Sequence, residues 1–170
     1  MFYKEKKNYL NQEDFIKIKN YFCSDKMGWF YNKEQTITEE DQRKDASFFS
    51  HRIWYNDKIE TSPFVYQLIE PIIKKIKPRK ILRIKANLVI NRRIQTASNF
   101  HLDDDTKHKV AIYYINTNNG FTLLDPIKRK EIKCEENKLL IFDGKILHSA
   151  VAQTDTDQRL VINFNYTERP

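Results

Sequence analysis

The apolar pattern of the chain changes its period at Pro78, and this change constrains the fold more than any other feature. Before Pro78, apolar residues recur at helical spacing up to Ile76, and Ser62 with Pro63 gives a helix start. After it, polar and apolar residues alternate over 81–90, as the side chains of a half-buried strand do. The apolar face of this strand should pack on helices. The opposite face contains Arg83, Lys85, Asn87 and Val89.

The rest of the chain contains short strand-like segments separated by turn signals. The predicted strands are 109–116, 121–124, 130–134, 138–142 and 158–166. Asn119–Gly120 predicts a hairpin turn, because this pair accepts positive φ at low cost. Asp143–Gly144 predicts a second turn, shortly before His148. Many short strands with this spacing are typical of a jelly roll or sandwich.

The segment before this β region, residues 1–80, is expected to supply mainly helical and loop support. A first helix should begin after Asn11, with apolar residues at helical spacing and acids in its first turn. Residues 27–31 and 48–55 predict short strands, and the polar segment 34–46 predicts a loop near the mouth of a site. The full range 1–170 is expected to form one domain, with its β core over 81–167.

Composition narrows the class of protein further. The chain has no apolar run of membrane-spanning length, and its first seven residues lack the apolar region of a signal peptide. We therefore expect no membrane partner and a cytoplasmic location, in a host cell if the gene is viral. Two cysteines, Cys23 and Cys134, are too few for a disulfide framework and predict reduced thiols. The sequence does not indicate an oligomeric state.

Positive charge is concentrated in the middle of the chain. The net charge of the chain is +7. Residues 74–93 alone contain nine Lys or Arg and no acid. Such a stretch could attract nucleic acid or an acidic peptide. The alternative is a solvated helix end followed by a strand with one polar face.

Four side chains point to chemistry. His101 and Asp103 are two residues apart, so in an extended strand both project to the same side. His148 would complete a set of two histidines and one carboxylate, which binds non-haem Fe(II) on one face and leaves positions open. Arg159 follows on the last predicted strand, and its planar guanidinium can bind a carboxylate through two hydrogen bonds.

This ordered set resembles the 2-oxoglutarate- and Fe(II)-dependent dioxygenases. The segments 111–116 (AIYYIN) and 159–166 (RLVINFNY) are similar to the prolyl-4-hydroxylase branch. The size of the chain and the segment 83–88 (RIKANL) are most similar to short phage- or virus-encoded members. The resemblance implies a double-stranded β-helix, mainly β with N-terminal helices packed on its major sheet. It also implies Fe(II), 2-oxoglutarate and O2 as cofactor and co-substrates.

The same resemblance implies roles for individual residues. His101, Asp103 and His148 would be the metal ligands and the catalytic centre, and Arg159 would hold the distal carboxylate of 2-oxoglutarate. Tyr114 resembles the phenol that donates to that carboxylate in the family. Related prolyl hydroxylases often have a tyrosine at the position of Val89, so one co-substrate contact is missing or moved here.

Other polar residues are candidates with alternatives. Asn87 and Asn163 are expected to contact the co-substrate. If their strands do not line a pocket, these residues and their neighbours Arg83, Lys85 and Asn165 lie on solvent-exposed strand faces. We expect three further residues not to bind the metal. No partner ligand can be placed beside His51 or His108, and Asp105 lies in a turn-prone run.

Three functions are compatible with these residues. The first is hydroxylation of a protein or peptide side chain, with proline favoured through the family resemblance, and with release of succinate and CO2. The second is the same oxygenase chemistry on a nucleic acid base or a free amino acid. The third is a non-catalytic jelly-roll protein that has kept a metal, against which the intact set of four residues argues.

Overall fold

The computed structural model describes residues 2–33 and 47–168. The loop predicted at residues 34–46 therefore lies entirely outside the described residues. The helices are α1 (Gln12–Phe22) and α2 (Pro63–Ile76). The strands are β1 (Tyr3–Lys6), β2 (Phe30–Asn32), β3 (Phe48–Tyr55), β4 (Lys58–Ile59), β5 (Lys80–Ile90), β6 (Lys109–Tyr114), β7 (Asn118–Leu124), β8 (Lys130–Cys134), β9 (Lys138–Asp143), β10 (His148–Val151) and β11 (Gln158–Thr167).

The strands form two antiparallel sheets. The larger has the order β1-β9-β6-β11-β5-β3-β2, with β4 paired to β3, and the smaller has the order β10-β7-β8. Single bridges from Ala97 and His101 to β10 extend the smaller sheet by an irregular segment. This arrangement confirms the predicted jelly roll.

Alternation along three neighbouring strands separates a helix-facing core from the interior between the sheets. One face of β5, β6 and β11 packs against α1 and α2, through residues such as Ile84, Tyr113 and Ile162 together with Phe15 and Ile69 of the helices. The helices therefore cover the larger sheet, as predicted. The opposite face points to the smaller sheet, where the second core contains Val110, Ile112, Tyr114, Leu124, Ile132 and Phe142.

The N-terminal part is less helical than predicted. Residues 1–80 supply both helices, but they also supply β1 at one edge of the larger sheet and β2, β3 and β4 at the other. The helix after Asn11 is confirmed, and the Asn11 side chain accepts from the backbone of Asp14 at 2.9 Å. The strand predicted at 27–31 forms later, as β2.

The hairpin predicted at Asn119–Gly120 is wrong. Both residues lie inside β7, and β6 pairs with β9 and β11 instead of with β7. Gly120 does not have positive φ. Its small size serves a close approach, since a Cβ there would lie 2.8 Å from the Val151 oxygen and 3.0 Å from Cδ of Arg159. The ladder between β7 and β8 is irregular at this point.

No helix in the described part of the chain is long and apolar enough to cross a membrane. The positive charges of residues 74–93 do not share one face. Lys74 pairs with Glu70 on α2, and Lys80 pairs with Asp57, whereas Arg83 and Lys85 line an internal cavity. Whether the exposed members bind nucleic acid stays a prediction.

Asn137 joins the N-terminal segment to the larger sheet. Its side chain accepts from the Leu10 nitrogen at 2.9 Å and from the Tyr113 hydroxyl at 3.0 Å, and donates to the Leu10 oxygen at 2.9 Å. The residue is buried and has a φ of 53°, a conformation that asparagine tolerates better than most residues. Asn56 has a similar φ of 50° but is exposed in a turn.

Asn137→Ala should therefore destabilise the protein by about 2–4 kcal/mol more than Asn56→Ala does. Both substitutions strain a left-handed position, but only the first leaves buried donors and acceptors without partners. Urea unfolding of the two variants measures the difference in the free energy of unfolding. Equal losses would show that the buried hydrogen bonds contribute nothing beyond the backbone conformation.

Candidate active site

A pair of backbone hydrogen bonds brings the two predicted histidine ligands together. The His101 nitrogen donates to the His148 oxygen at 3.0 Å, and the His148 nitrogen donates to the His101 oxygen at 3.1 Å. This bridge sets the two imidazole rings side by side, with centroids 4.5 Å apart. Residues 47 positions apart in the chain thus become neighbours at the edge of the smaller sheet.

Asp103 completes the cluster. Ligand atoms of His101, Asp103 and His148 all lie within 4.8 Å of one another. Nε2 of His148 lies 3.7 Å from Oδ2 of Asp103. Two imidazoles and one carboxylate at this spacing form a ligand set that suits a divalent transition metal.

The protonation states also fit a metal. Nδ1 of His101 lies 2.9 Å from the Asn99 oxygen, and Nδ1 of His148 lies 3.4 Å from the Ile146 oxygen. A proton on each Nδ1 leaves Nε2 free as a ligand. Burial lowers the pKa of His148 to about 4, although Asp103 opposes the shift, so its imidazole is neutral near pH 7.

Asp103 is held as an ionised carboxylate by three donors. Arg83 donates to Oδ1 at 2.7 Å, and the amides of Asn163 and Asn165 donate to Oδ2 at 2.8 and 3.0 Å. Burial alone would raise the pKa of Asp103. The charge of His148, which is protonated at the low pH where Asp103 titrates, the charge of Arg83 and the two amide hydrogen bonds together outweigh burial and hold the pKa of Asp103 below its usual range.

The cluster opens into a cavity of about 350 Å³ between the two sheets. The inward face of β5 lines it, so the expected pocket face of this strand is confirmed. In the pairing of β5 with β11, the residues that lie side by side are Val89 and Arg159, Asn87 and Val161, Lys85 and Asn163, and Arg83 and Asn165. The histidine cluster and Arg159 therefore share one cavity.

Arg159 is the buried cation of this cavity. It is 3% exposed, and its guanidinium donates to Thr122 Oγ1 at 3.2 Å and to Cys134 Sγ at 3.1 Å. Neither partner is a carboxylate, and Arg159 has no carboxylate partner among the described residues. A buried cation without an anion is costly, so this position favours an anionic ligand.

The other predicted site residues occupy different positions. Asn87 and Asn163 line the cavity, and the side-chain oxygen of each is buried without a hydrogen-bond partner. Tyr114 is fully buried beneath the cavity wall and contacts Thr122 Oγ1 at 2.8 Å. Tyr114 thus reaches the wall through Thr122, and its direct contact with a co-substrate stays a prediction.

Sequence reasoning missed Thr122, which lines the cavity between Tyr114 and Arg159. The available signal was a single hydroxyl in the predicted strand 121–124, which is otherwise apolar. The wrongly predicted hairpin left the face on which this hydroxyl lies undetermined. His51 and His108 lie apart from the cluster, as expected. His51 contacts Thr61 and the Gly28 oxygen, and His108 contacts the Thr106 oxygen.

No family model matches the sequence, and neither does any curated protein. Solved structures do match. An oxidoreductase of the 2OG-Fe(II) oxygenase family from Burkholderia pseudomallei superposes with a TM-score of 0.73 at 9% identity, covering 98% of this chain and 85% of that chain. The chain has the fold of the 2-oxoglutarate/Fe(II) oxygenases.

Two further structures with this oxygenase fold are prolyl hydroxylases. The viral collagen prolyl hydroxylase of Paramecium Bursaria Chlorella virus-1, solved with 2OG, matches with a TM-score of 0.65 at 12% identity, over 100% of this chain and 97% of that chain. A Trichoplax adhaerens prolyl hydroxylase, solved with a peptide fragment of hypoxia inducible factor, gives a TM-score of 0.66 at 13% identity, over 98% and 83%.

His148→Ala should remove Mn(II) binding while leaving the fold intact, because alanine keeps the backbone bridge to His101. Loss of a direct ligand should cost at least the roughly 10- to 100-fold in affinity that loss of an outer-shell partner costs. Calorimetric titration with Mn(II) measures the loss. His51→Ala is the matched control and should bind Mn(II) as the wild type does. Equal affinities of all three proteins would remove His148 from the ligand set.

The metal-free protein should lose stability as the pH falls from 6.5 towards 4. In this window the unfolded chain protonates His148, whose ordinary pKa is 6.5, whereas the folded protein resists protonation until about pH 4. Since the unfolded state binds more protons, the free energy of unfolding decreases with decreasing pH. Urea unfolding at several pH values should show a smaller decrease for His148→Ala. Parallel curves for the two proteins would show that the loss of stability does not come from the lowered pKa of His148.

Proposed function

We propose that this chain is an Fe(II)- and 2-oxoglutarate-dependent dioxygenase. The single observation that supports this most strongly is the placement of a buried, unpaired Arg159 in the same cavity as the cluster His101, Asp103 and His148. One group fits a divalent metal and the other fits a dicarboxylate. The likeness in fold to a 2OG-Fe(II) oxygenase supports the assignment of both sites to one reaction.

The residues present fit both groups. His101, Asp103 and His148 would hold Fe(II) through Nε2 of each imidazole and the carboxylate. Arg159 would hold the distal carboxylate of 2-oxoglutarate, with the hydroxyl of Thr122 beside it. When bound, iron with 2-oxoglutarate and O2 supplies an oxidative hydroxylation that releases succinate and CO2.

The protein contributes orientation and exclusion of water. The bridge between His101 and His148 fixes their backbones, a carbonyl contact at each Nδ1 orients the rings, and three donors fix Asp103. Fixed ligands hold the reacting groups in place, and a small misplacement of such groups costs rate steeply. Apolar side chains of the inner core, among them Ile112 and Val161, form an apolar part of the cavity wall between the metal cluster and Arg159.

A protein or peptide side chain is the proposed substrate, and proline is the favoured target. Two buried acceptors, Oδ1 of Asn87 and Oδ1 of Asn163, lack partners in the cavity. Ionised 2-oxoglutarate has only acceptors, whereas a peptide supplies N–H donors that can satisfy these oxygens. The likeness to a prolyl hydroxylase solved with a peptide supports the same class of substrate.

The amide of Asn163 is committed to Asp103, which favours a role in holding the carboxylate over the predicted contact with the co-substrate. The Asn87 side chain has no hydrogen-bond partner among the described residues, so Asn87 is the better candidate for a co-substrate or substrate contact. The two asparagines thus have different expected roles, although both line the cavity.

The decisive experiment measures succinate release from 2-oxoglutarate with and without Fe(II), in the presence of mixed prolyl peptides, oligonucleotides or free amino acids. Release that requires Fe(II), together with a mass increase of one oxygen in a peptide, supports the proposal. The same increase in a nucleotide or an amino acid would reassign the substrate. Absence of Fe(II)-dependent release under all three conditions would leave a non-catalytic metal-binding protein.

Arg159→Gln should raise the concentration of 2-oxoglutarate needed for half-maximal succinate release by roughly 30-fold, because charge-assisted hydrogen bonds contribute about 2 kcal/mol. The Fe(II) requirement should change little, since Arg159 does not contact the metal ligands. Arg79→Gln, at an exposed position before β5, is the matched control. Equal increases in the 2-oxoglutarate and Fe(II) requirements would show that Arg159 has another role.

A further inference from the structure

The cavity contains more positive charge than the proposed reaction needs. Its lining includes three cations, Arg83, Lys85 and Arg159, and one acid, Asp103. Bound Fe(II) would add two positive charges, and 2-oxoglutarate would remove two. The loaded cavity would therefore keep a net excess of two positive charges among the described residues that line it.

Lys85 is the cation that neither site uses. Arg159 faces the proposed carboxylate position, and Arg83 is bonded to Asp103 at 2.7 Å. The ammonium of Lys85 lies 5.4 Å from the ring centre of Phe48, and Lys85 has no carboxylate partner among the described residues. Its neighbour across the strands, Arg52, is paired with Glu60 at 3.3 Å.

Asp103 attracts Lys85 without forming an ion pair with it, and three other donors hydrogen-bond to Asp103. Burial lowers the pKa of Lys85 to about 8, and the charge of Arg83 adds to this shift, whereas the charge of Asp103 opposes part of it. The protein therefore maintains a partly desolvated ammonium group in its cavity at a cost in stability. A ligand that brings a negative charge would offset this cost.

The negative groups of 2-oxoglutarate are already used in the proposed complex. Arg159 would hold one carboxylate and the metal cluster would hold the other, so neither is left for Lys85. The ammonium of Lys85 lies beside Phe48 of β3, which lines the same cavity. The anion that offsets Lys85 would therefore come from the second substrate.

We propose that Lys85 is a specificity-determining residue that selects peptides with a glutamate or aspartate next to the residue placed at the metal. The inference rests on the proposed function and names the chemistry of its substrate. A single cation in a cavity of about 350 Å³ matches one carboxylate. Nucleic acid is bound by rows of exposed cations along its backbone, which this cavity does not offer.

The test measures peptide binding by calorimetry to protein loaded with Mn(II) and 2-oxoglutarate. The probes are blocked peptides with a central proline and either glutamate or glutamine, placed immediately before the proline in one pair and immediately after it in another. Lys85→Gln removes the charge, and Lys85→Arg keeps it. Lys80→Gln is the matched control, because Lys80 lies on the same strand but is exposed and paired with Asp57.

We expect wild-type protein to bind one glutamate peptide about ten-fold more tightly than its glutamine partner, the usual scale of a charge-assisted contact. Lys85→Gln should abolish this preference without changing the affinity for the glutamine peptide. Lys85→Arg and Lys80→Gln should retain the preference.

Three results would overturn the inference. The first is equal binding of the glutamate and glutamine peptides by the wild type. The second is a preference that survives in Lys85→Gln. The third is tighter binding of a short single-stranded oligonucleotide, lost in Lys85→Gln, which would assign the charge to nucleic acid.

Titrations with Mn(II) and with 2-oxoglutarate on the same samples separate the two levels of the proposal. If wild-type protein binds neither, the proposed function fails and this inference fails with it. If it binds both and shows no preference for an acidic peptide, only the selectivity of Lys85 is wrong.

Discussion

Two backbone hydrogen bonds between His101 and His148 are the interaction on which the candidate site depends. They need no particular side chain, so they hold the backbones of two ligand residues side by side whatever the cavity contains. Sheet pairing therefore does part of the work that a metal would otherwise do in gathering its ligands. Because the bridge belongs to the smaller sheet and Asp103 is bonded to residues of the larger sheet, the ligand cluster also joins the two sheets.

The environment of Asp103 shows how a buried carboxylate is kept ready for a cation. A carboxylate offers about four lone-pair positions, and Arg83, Asn163 and Asn165 occupy three of them. The remaining position belongs to Oδ1, because both amides donate to Oδ2. Arg83 thus has two opposing effects, since it keeps Asp103 ionised but also repels a metal. The two neutral amides hold the carboxylate without adding that repulsion.

Sequence reasoning succeeded where side-chain alternation decides the outcome. Over residues 83–89 of β5, even-numbered residues pack on the helices and odd-numbered residues face the cavity. The position of Arg83, Lys85 and Asn87 in the cavity lining therefore followed from the period of the strand. It failed at Gly120, because a small residue at a close approach and a small residue in a turn have the same local sequence. It also missed Thr122, whose role depends on Arg159, 37 positions later.

The same alternation links the site to the core. A strand that slipped by one residue would exchange its two faces, and it would place Arg159 or Lys85 among the apolar residues that contact the helices. The cost of burying those charges excludes such a register. The packing of Ile84, Ile162 and Phe164 against the helices therefore fixes the register of β5 and β11, and the register in turn fixes the separation of Arg159 from Lys85. The proposed dicarboxylate position and the proposed anion position would both follow from one strand pairing.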